Sequence, residues 1–293
     1  MGRAGQRVGD GEADPDLPAH RGGGPGLSRR TRPTWLGGLV DSHCHLQHER
    51  FDPDREAVLA RAADAGIERI LVPGWDLPSS LAALELAERH APLVLASVGV
   101  HPHYAALTDE RAWAELEALV ADPRCVAVGE IGLDFFRNLS PPDVQRAAMA
   151  RQLATADRHG LPVLVHDRDA HAEVTGLLMA WEGRRHQAAR GVLHAFSGDA
   201  AMAASLTAAG FLISFALPLA FRSAAGPRAA APLVLAGSYL LETDAPYLGP
   251  DRDGRNEPTT VLRVAAELAA LRHVDPELVA ADAREAFERL IGT

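Results

Sequence analysis

The sequence contains no lysine, because all 29 residues of its lysine-plus-arginine count are arginine. This absence excludes a phosphate-binding loop built on lysine, a Schiff-base lysine and a carbamylated lysine that bridges two metal ions. Cysteine is nearly absent as well. Cys44 and Cys125 each lie in an apolar, strand-like run and form no paired framework, which is typical of proteins in the reducing cytosol. We therefore expect a cytoplasmic protein in which neither cysteine has a redox role.

Long apolar runs are also missing. No segment reaches the roughly 18 uninterrupted apolar residues that a membrane span needs, so we expect no membrane partner. The formal net charge of −10 argues against a protein that grips nucleic acid over a broad basic surface. This charge still allows a small site at which metal ions attract one phosphate.

Residues 1–34 have little apolar content. They hold the stretches GEADPD, RGGGPG and SRRTRP, which are rich in glycine, proline and charge. Such a segment buries too little apolar surface to offset the entropy of ordering. It also lacks the apolar core of a signal peptide. We predict a disordered leader over residues 1–34 and a single domain over residues 35–293.

Apolar runs alternate with helical stretches over the rest of the chain. The strand-like runs lie at 38–46, 69–74, 93–100, 125–134, 162–167, 191–197, 211–217 and 238–244. Most of them are apolar nearly throughout rather than alternating, which indicates a parallel sheet covered on both faces. Helical segments lie between the runs. Such units most simply close into a (β/α)8 TIM-type barrel of the α/β class, and a doubly wound open sheet is the alternative.

Polar side chains follow the predicted strands at the points where the strands end. In a barrel these ends form one rim, where the active sites of this fold lie. His43 and His45 are the first pair, and with Asp41 they share one face of a strand. A His-x-His pair alone is weak evidence for a metal. A second set strengthens it, and consists of Glu130, His166, His194 and Asp244 at four further strand ends.

Imidazoles together with carboxylates suit Zn, Mn, Co or Mg. Six candidate ligands are more than one tetrahedral ion uses, so we expect two divalent ions, either Mg, Mn or Zn. Two close cations need a bridging anion, and Glu130 is the best-placed residue because no lysine is present. The predicted first ion is held by His43, His45 and Asp244. The predicted second ion is held by His166 and His194, with Glu130 across both.

Two such ions activate a water between them and stabilise charge on substrate oxygens. Asp244 is expected both to bind a metal and to take up a proton, so Asp244 and Glu130 are the predicted catalytic residues. The predicted contacts to a phosphate oxygen are His101, Arg168 and Arg255, the arginines because of their two-pronged donor geometry.

Several further polar residues lie near the predicted strand ends. Carboxylates such as Asp41 or Glu242 are predicted to orient the imidazoles. Three other residues have two interpretations each. Asp134 either orients a ligand or has a local role, in which it caps its loop or pairs with Arg137. His103 is either a plain loop histidine or part of the site. Arg168 binds either a phosphate or one of the neighbouring carboxylates, Asp167 and Asp169.

Seven sequence blocks together resemble the TatD family of metal-dependent deoxyribonucleases, within the amidohydrolase-like barrels. They are DSHCH, GVHPH, GEIGLDFFRN, VHDRDAH, HAFSG, LETDAPYL and RNEP, in the family's order from about residue 38 to the C-terminus. The resemblance implies a TIM-type barrel, the six metal ligands given above, and a phosphate contact at His101. It also implies hydrolysis of DNA phosphodiesters, often exonucleolytic from the 3′ end. Two departures are the Phe135-Phe136 pair, where tyrosine is common, and Ala195, where cysteine is common.

We therefore predict a 3′-to-5′ deoxyribonuclease that cleaves single-stranded or frayed DNA, with a hydroxide bound by the two ions as the nucleophile. The same hydroxide can attack a carbonyl carbon, so a hydrolase of an amide, lactone or acyl-tRNA ester is the alternative. A metal-stabilised binding protein without turnover is a third possibility, and it predicts a missing ligand or a blocked rim. No obligate protein partner is predicted.

Overall fold

The computed structural model describes residues 38–184, 187, 189–250 and 254–292, so the predicted leader lies outside the described residues. The core is one eight-stranded sheet in which the strand order follows the sequence. The strands are β1 (Leu39–Asp41), β2 (Ile67–Pro73), β3 (Val94–Val98), β4 (Cys125–Asp134), β5 (Val163–Arg168), β6 (Gly191–Leu193), β7 (Phe211–Phe215) and β8 (Tyr239–Leu241). Each strand pairs in parallel with the next.

Helices connect the strands on the outside. They are α1 (Arg55–Asp64), α2 (Leu77–Arg89), α3 (Glu110–Leu119), α4 (Pro142–His159), α5 (His171–Ala180), α6 (Ala200–Ala208), α7 (Ala225–Ala230), α8 (Val261–Arg272) and α9 (Pro276–Ile291). Short 3-10 helices lie at Glu49–Phe51, Pro102–Leu107, Leu217–Ala220 and Pro258–Thr260. Among the described residues, no helix has the length and apolar character that crossing a membrane requires.

Local sequence signals set several helix ends. The side chains of Asp109 and Asp199 accept backbone hydrogen bonds at the starts of α3 and α6, which satisfies amide groups that have no partner within the helix. Helix α4 begins at Pro142 and ends at His159, and the next residue, Gly160, caps it with a φ of 65°, in the left-handed region that glycine adopts at little cost.

The sheet closes between β1 and β8 just beyond the ends of both strands. The amide of Ser42 donates to the carbonyl of Leu241 at 2.9 Å, and the amide of Asp244 donates to the carbonyl of His43 at 2.9 Å. The amide of His45 donates to the carbonyl of Ala245 at 2.7 Å. The TIM-type barrel is therefore confirmed, and the open-sheet alternative is wrong.

An apolar layer fills the barrel interior. Its buried members from the strands are Val40, Leu71, Ala127, Leu164, Val192, Leu212 and Leu240. Ala286, Phe287 and Leu290 of α9 pack against this layer. Residues two positions further along a strand project on the same side. For three strands those residues are His166, His194 and Glu242, so polar groups follow the apolar layer toward the carboxyl ends.

Candidate metal centre

Glu130 of β4 lies at the centre of the site and is only 3% exposed. Its Oε2 lies 3.3 Å from Nε2 of His43 and 3.8 Å from Nε2 of His45. Its Oε1 lies 2.8 Å from Nε2 of His194 and 3.1 Å from Nδ1 of His166. We call His43 and His45 the first imidazole pair, and His166 and His194 the second imidazole pair. The two oxygens of one carboxylate thus face two different imidazole pairs.

Asp244 lies beside the first imidazole pair. Its Oδ1 is 3.2 Å from Nε2 of His45 and 3.8 Å from Nε2 of His43. Its backbone has a φ of 53°, and its amide is held by the carbonyl of His43 at the barrel closure. The side chain is 13% exposed, whereas that of Glu130 is 3% exposed. Asp244 is therefore the carboxylate of this cluster that a substrate reaches more easily.

His101 completes the ring around Glu130. Its Nε2 lies 3.4 Å from Oε1 of Glu130, next to the second imidazole pair. Its amide donates to the carbonyl of Trp75 at 2.9 Å. The structure thus brings His101 into the cluster of predicted metal ligands, and its predicted contact to a phosphate oxygen stays a prediction.

Burial and mutual charge set the protonation of this cluster. Burial alone would raise the pKa of Glu130, but the surrounding imidazoles, His194 foremost, lower that pKa well below its usual range. Burial lowers the pKa of His43 and, more strongly, that of His101. Burial acts in the same direction on His194, but the charge of Glu130 raises the pKa of this imidazole well above its usual value. The carboxylate is therefore ionised, and His43 and His101 are neutral, which is the form that binds a metal.

The donor set fits divalent cations. Three groups of ligand-type atoms lie within 4.8 Å of one another. The groups are His43, His194 and Asp244; His43, His45 and Glu130; and His101, Glu130 and His166. Imidazole nitrogens combined with carboxylate oxygens are the ligands of zinc and related transition metals. All six predicted metal ligands are thus brought together, while their roles as ligands stay predictions.

Two carboxylates behind the cluster contact the second imidazole pair. Oδ2 of Asp134 lies 3.3 Å from Nε2 of His166 and 2.7 Å from Nε2 of His103. Oδ1 of Asp134 accepts from the amide of Arg137 at 2.7 Å. Asp134 therefore caps its loop and also contacts a predicted ligand, and its role in orienting that ligand stays a prediction. Glu242 approaches Nδ1 of His194 at 3.4 Å, as an orienting carboxylate should.

Asp41 has a different role from the one predicted. Its two oxygens accept hydrogen bonds from the amide and the hydroxyl of Thr243, at 2.9 and 2.6 Å. Strand β1 ends at Asp41, so the alternation of a longer strand does not continue to His43 and His45. Asp41 therefore fastens β1 to the end of β8 instead of orienting an imidazole ring. No role was predicted for Thr243, although it lies between two carboxylates in the LETDAPYL block.

Two aromatic side chains beside the first imidazole pair were also missed. The ring of Trp75 lies 5.2 Å from the ring of His45, and the ring of Tyr247 lies 5.9 Å from it. Both residues follow a strand, Trp75 after β2 and Tyr247 after β8. That position was the available signal, because loops after strands form the mouth of a barrel.

The two arginines that were predicted to bind a phosphate oxygen lie outside this cluster of imidazoles and carboxylates. The guanidinium of Arg168 stacks over the ring of Phe136, 4.0 Å from its centroid. The guanidinium of Arg255 donates to Asp54 at 2.5 and 2.8 Å and to Glu257 at 2.9 Å. Glu257 thus fixes the loop after β8. Phosphate binding by either arginine stays a prediction.

A barrel of parallel strands with a buried histidine and carboxylate cluster at its carboxyl ends is an arrangement that suits a metal-dependent hydrolase. A family model described as "TatD related DNase" matches residues 40–292. The chain therefore belongs to the TatD family of metal-dependent hydrolases, and the resemblance seen in the sequence is confirmed.

Individual relatives cover nearly the same region. The chain is 36% identical over 254 residues to the uncharacterized metal-dependent hydrolase YabD of Bacillus subtilis, covering 86% of this chain and 98% of YabD. It is 38% identical over 244 residues to the 3'-5' ssDNA/RNA exonuclease TatD of Edwardsiella piscicida, covering 81% and 93% of the two chains. The crystal structure of YJJV, a TatD homolog from Escherichia coli K12, superposes with a TM-score of 0.82 at 31% identity, covering 87% and 98%.

Proposed function

We propose that this protein is a divalent-metal-dependent 3′-to-5′ exonuclease that acts on single-stranded or frayed DNA. The observation that carries the proposal is the position of Glu130, whose two oxygens face the first and the second imidazole pair separately. This arrangement suits two ions that share one carboxylate. The name of the Edwardsiella relative supports a phosphodiester rather than a carbonyl substrate.

The proposed ligands are the first imidazole pair with Asp244 for one ion, the second imidazole pair for the other, and Glu130 for both. Mg, Mn and Zn are the candidate metals. When bound, the ions supply a water of lowered pKa and positive charge that stabilises the phosphate oxygens in the transition state.

The protein's own groups then carry out four tasks. Asp244 is the more exposed of the two clustered carboxylates, so it is placed to accept the proton of the attacking water. Glu130 is buried and holds the two halves of the site together. Asp134 and Glu242 orient the second imidazole pair from behind. Closure of the barrel at His43 fixes the backbone of Asp244.

We also propose a cytoplasmic location. Cys44 and Cys125 are both unpaired thiols in the described structure and both are buried. Free, buried cysteines are typical of proteins in a reducing compartment.

The test is cleavage of end-labelled single-stranded DNA by the metal-stripped and the metal-reloaded protein. Asp244→Asn is the inactivating variant, and Asp64→Asn, an exposed aspartate of α1, is the matched control. We expect cleavage that requires metal, shortens the strand from its 3′ end and is lost only in Asp244→Asn. Equal cleavage by both variants, or cleavage without metal, would remove the proposal. Hydrolysis of an acyl ester without cleavage of DNA would instead support the carbonyl alternative.

A further inference from the structure

Large apolar side chains are exposed in two loops at the mouth of the barrel. Leu107 is 61% exposed at the end of the 3-10 helix that follows β3. Phe136 and Leu139, in the loop that follows β4, are 42% and 49% exposed. Clustered exposed apolar groups near a functional site are typical of binding surfaces.

One buried hydroxyl joins these two loops. Ser140 Oγ accepts a hydrogen bond from the amide of Ala106 and donates one to the carbonyl of His103, both at 3.0 Å. Ser140 follows Leu139 directly, and Ala106 precedes Leu107 directly. Leu107 and Leu139 therefore lie on adjoining parts of one rim, which we call the apolar rim together with Phe136.

The apolar rim adjoins the half of the site that contains the second imidazole pair. Phe136 follows Asp134 by two residues, and the carboxylate of Asp134 contacts His166 and His103. Substrate that reaches the second imidazole pair thus passes close to this rim.

Phe136 is held in place without being buried. The guanidinium of Arg168 covers one face of its ring, 4.0 Å from the centroid, and such cation–π contacts are attractive. Its neighbour Phe135 instead packs against the core, with Arg146 near its ring. One ring of the Phe-Phe pair is thus structural, while the other is presented to solvent.

The charge of the chain indicates what such a ring would bind. A net charge of −10 gives little of the counterion-release affinity that basic surfaces provide for DNA. Proteins that bind single strands also gain affinity by stacking bases on aromatic side chains. A duplex keeps its bases stacked inside, so stacking on the protein selects unpaired strands.

We propose that the apolar rim, with Phe136 at its centre, is a stacking surface for unpaired nucleobases of the strand whose phosphodiester lies at the metal centre. This inference rests on the proposed nuclease function and adds a base-binding site to it. Arg168 acts here as a positioning residue, because its guanidinium supports the ring of Phe136.

The test compares two substrates of equal length. One is a single-stranded oligonucleotide with all its bases. In the other, every base except the 3′-terminal one is replaced by a tetrahydrofuran spacer. The variants are Phe136→Ala, Phe136→Trp as aromatic rescue, and Leu139→Ala, with Leu278→Ala, 56% exposed on α9, as the matched leucine control.

We expect Phe136→Ala to raise KM on the base-bearing strand by about tenfold, the loss of one stacked base, and to leave kcat and the spacer strand unchanged. Phe136→Trp should keep the KM of the original protein. Leu139→Ala should raise KM less than Phe136→Ala, and Leu278→Ala should not change it. A 2-aminopurine base in the strand should be quenched on binding to the original protein but not to Phe136→Ala, as measured by stopped flow.

An unchanged KM in Phe136→Ala, or an equal rise on both strands, would overturn the inference while leaving the nuclease function intact. An unchanged KM in Phe136→Ala is also the result expected if the apolar rim contacts a partner protein instead of bases. If the original protein cleaved neither strand, the proposed nuclease function itself would fail, and the inference with it.

Discussion

Replacement of Asp134 by asparagine isolates the role of a carboxylate that no substrate needs to touch. In the native protein Oδ2 of Asp134 faces Nε2 of both His166 and His103, at 3.3 and 2.7 Å. Burial alone would raise the pKa of Asp134, but hydrogen bonds from these two imidazoles hold that pKa well below its usual value. We therefore expect His166 to carry its proton on Nε2, which leaves Nδ1 available to a metal beside Glu130.

Asparagine at position 134 would favour the opposite tautomer of His166. Its amide oxygen still accepts from the backbone of Arg137, so the loop is kept, but its NH2 group then faces two ring N–H groups. His166 is expected to move its proton to Nδ1 and lose its lone pair toward the metal. A hydrogen bond to a charged group contributes about 1.5–3 kcal/mol, or roughly 10- to 150-fold. Removal of carboxylates behind metal ligands typically costs about 10- to 100-fold in affinity or activity, so the two estimates agree.

The assay measures metal content and the rate of DNA cleavage in Asp134→Asn. Asp167→Asn is the matched control, because Asp167 also contacts an imidazole, that of His171, at 2.9 Å, and in the described part of the chain no side-chain contact joins it to the six predicted metal ligands. We expect a loss in Asp134→Asn alone, together with a changed tautomer of His166 in nitrogen-15 NMR spectra. The reasoning is refuted if Asp134→Asn stays within about twofold of the original protein, or if Asp167→Asn shows the same loss.

Acidification should remove the two proposed ions in separate steps. Burial lowers the pKa of His43, whereas Glu130 raises that of His194 despite its burial. His166 and His194 are therefore expected to protonate first as the pH falls, already above the ordinary histidine value of about 6.5, and His43 only below it. Metal analysis against pH should show an intermediate with one ion, and a single step would contradict this. Phe287→Ala should lower the free energy of unfolding by about 3–5 kcal/mol, because this ring is fully buried against the interior layer. Urea denaturation measures the change, and an unaltered midpoint would show that α9 does not support the barrel. Arg255→Ala should change KM for DNA by less than about threefold, because its donors already bind Asp54 and Glu257. Steady-state kinetics decide this, and a rise of about tenfold would support the predicted phosphate contact instead.

The strand pattern was predictable because buried parallel strands are apolar over their whole length. All eight predicted runs overlap a strand, but β1, β6 and β8 have only three residues each. These three predicted runs were longer at their carboxyl ends, where they include Ser42 to His45, His194 and Asp244. At these positions the backbone leaves the regular ladder to bring side chains into the site.

Convergence of the metal cluster was predictable from the fold, since ends of parallel strands meet at one rim. The specific side-chain pairs that form across the rim were not predictable. Arg255 and Asp54 are 201 residues apart, and Thr243 and Asp41 are 202 residues apart. A single sequence gives no signal for such pairs, because many carboxylates could form an ion pair with a given arginine equally well.

The seam between the first and last strands runs through the predicted ligands themselves, since His43 and Asp244 share a backbone hydrogen bond there. A growing chain on the ribosome therefore lacks part of the cluster until its eighth strand has left the exit tunnel. A nascent chain that lacks β8 and Asp244 would therefore have no assembled hydrolytic centre. The complete set of predicted ligands thus exists only after the segment that contains Asp244 has been made.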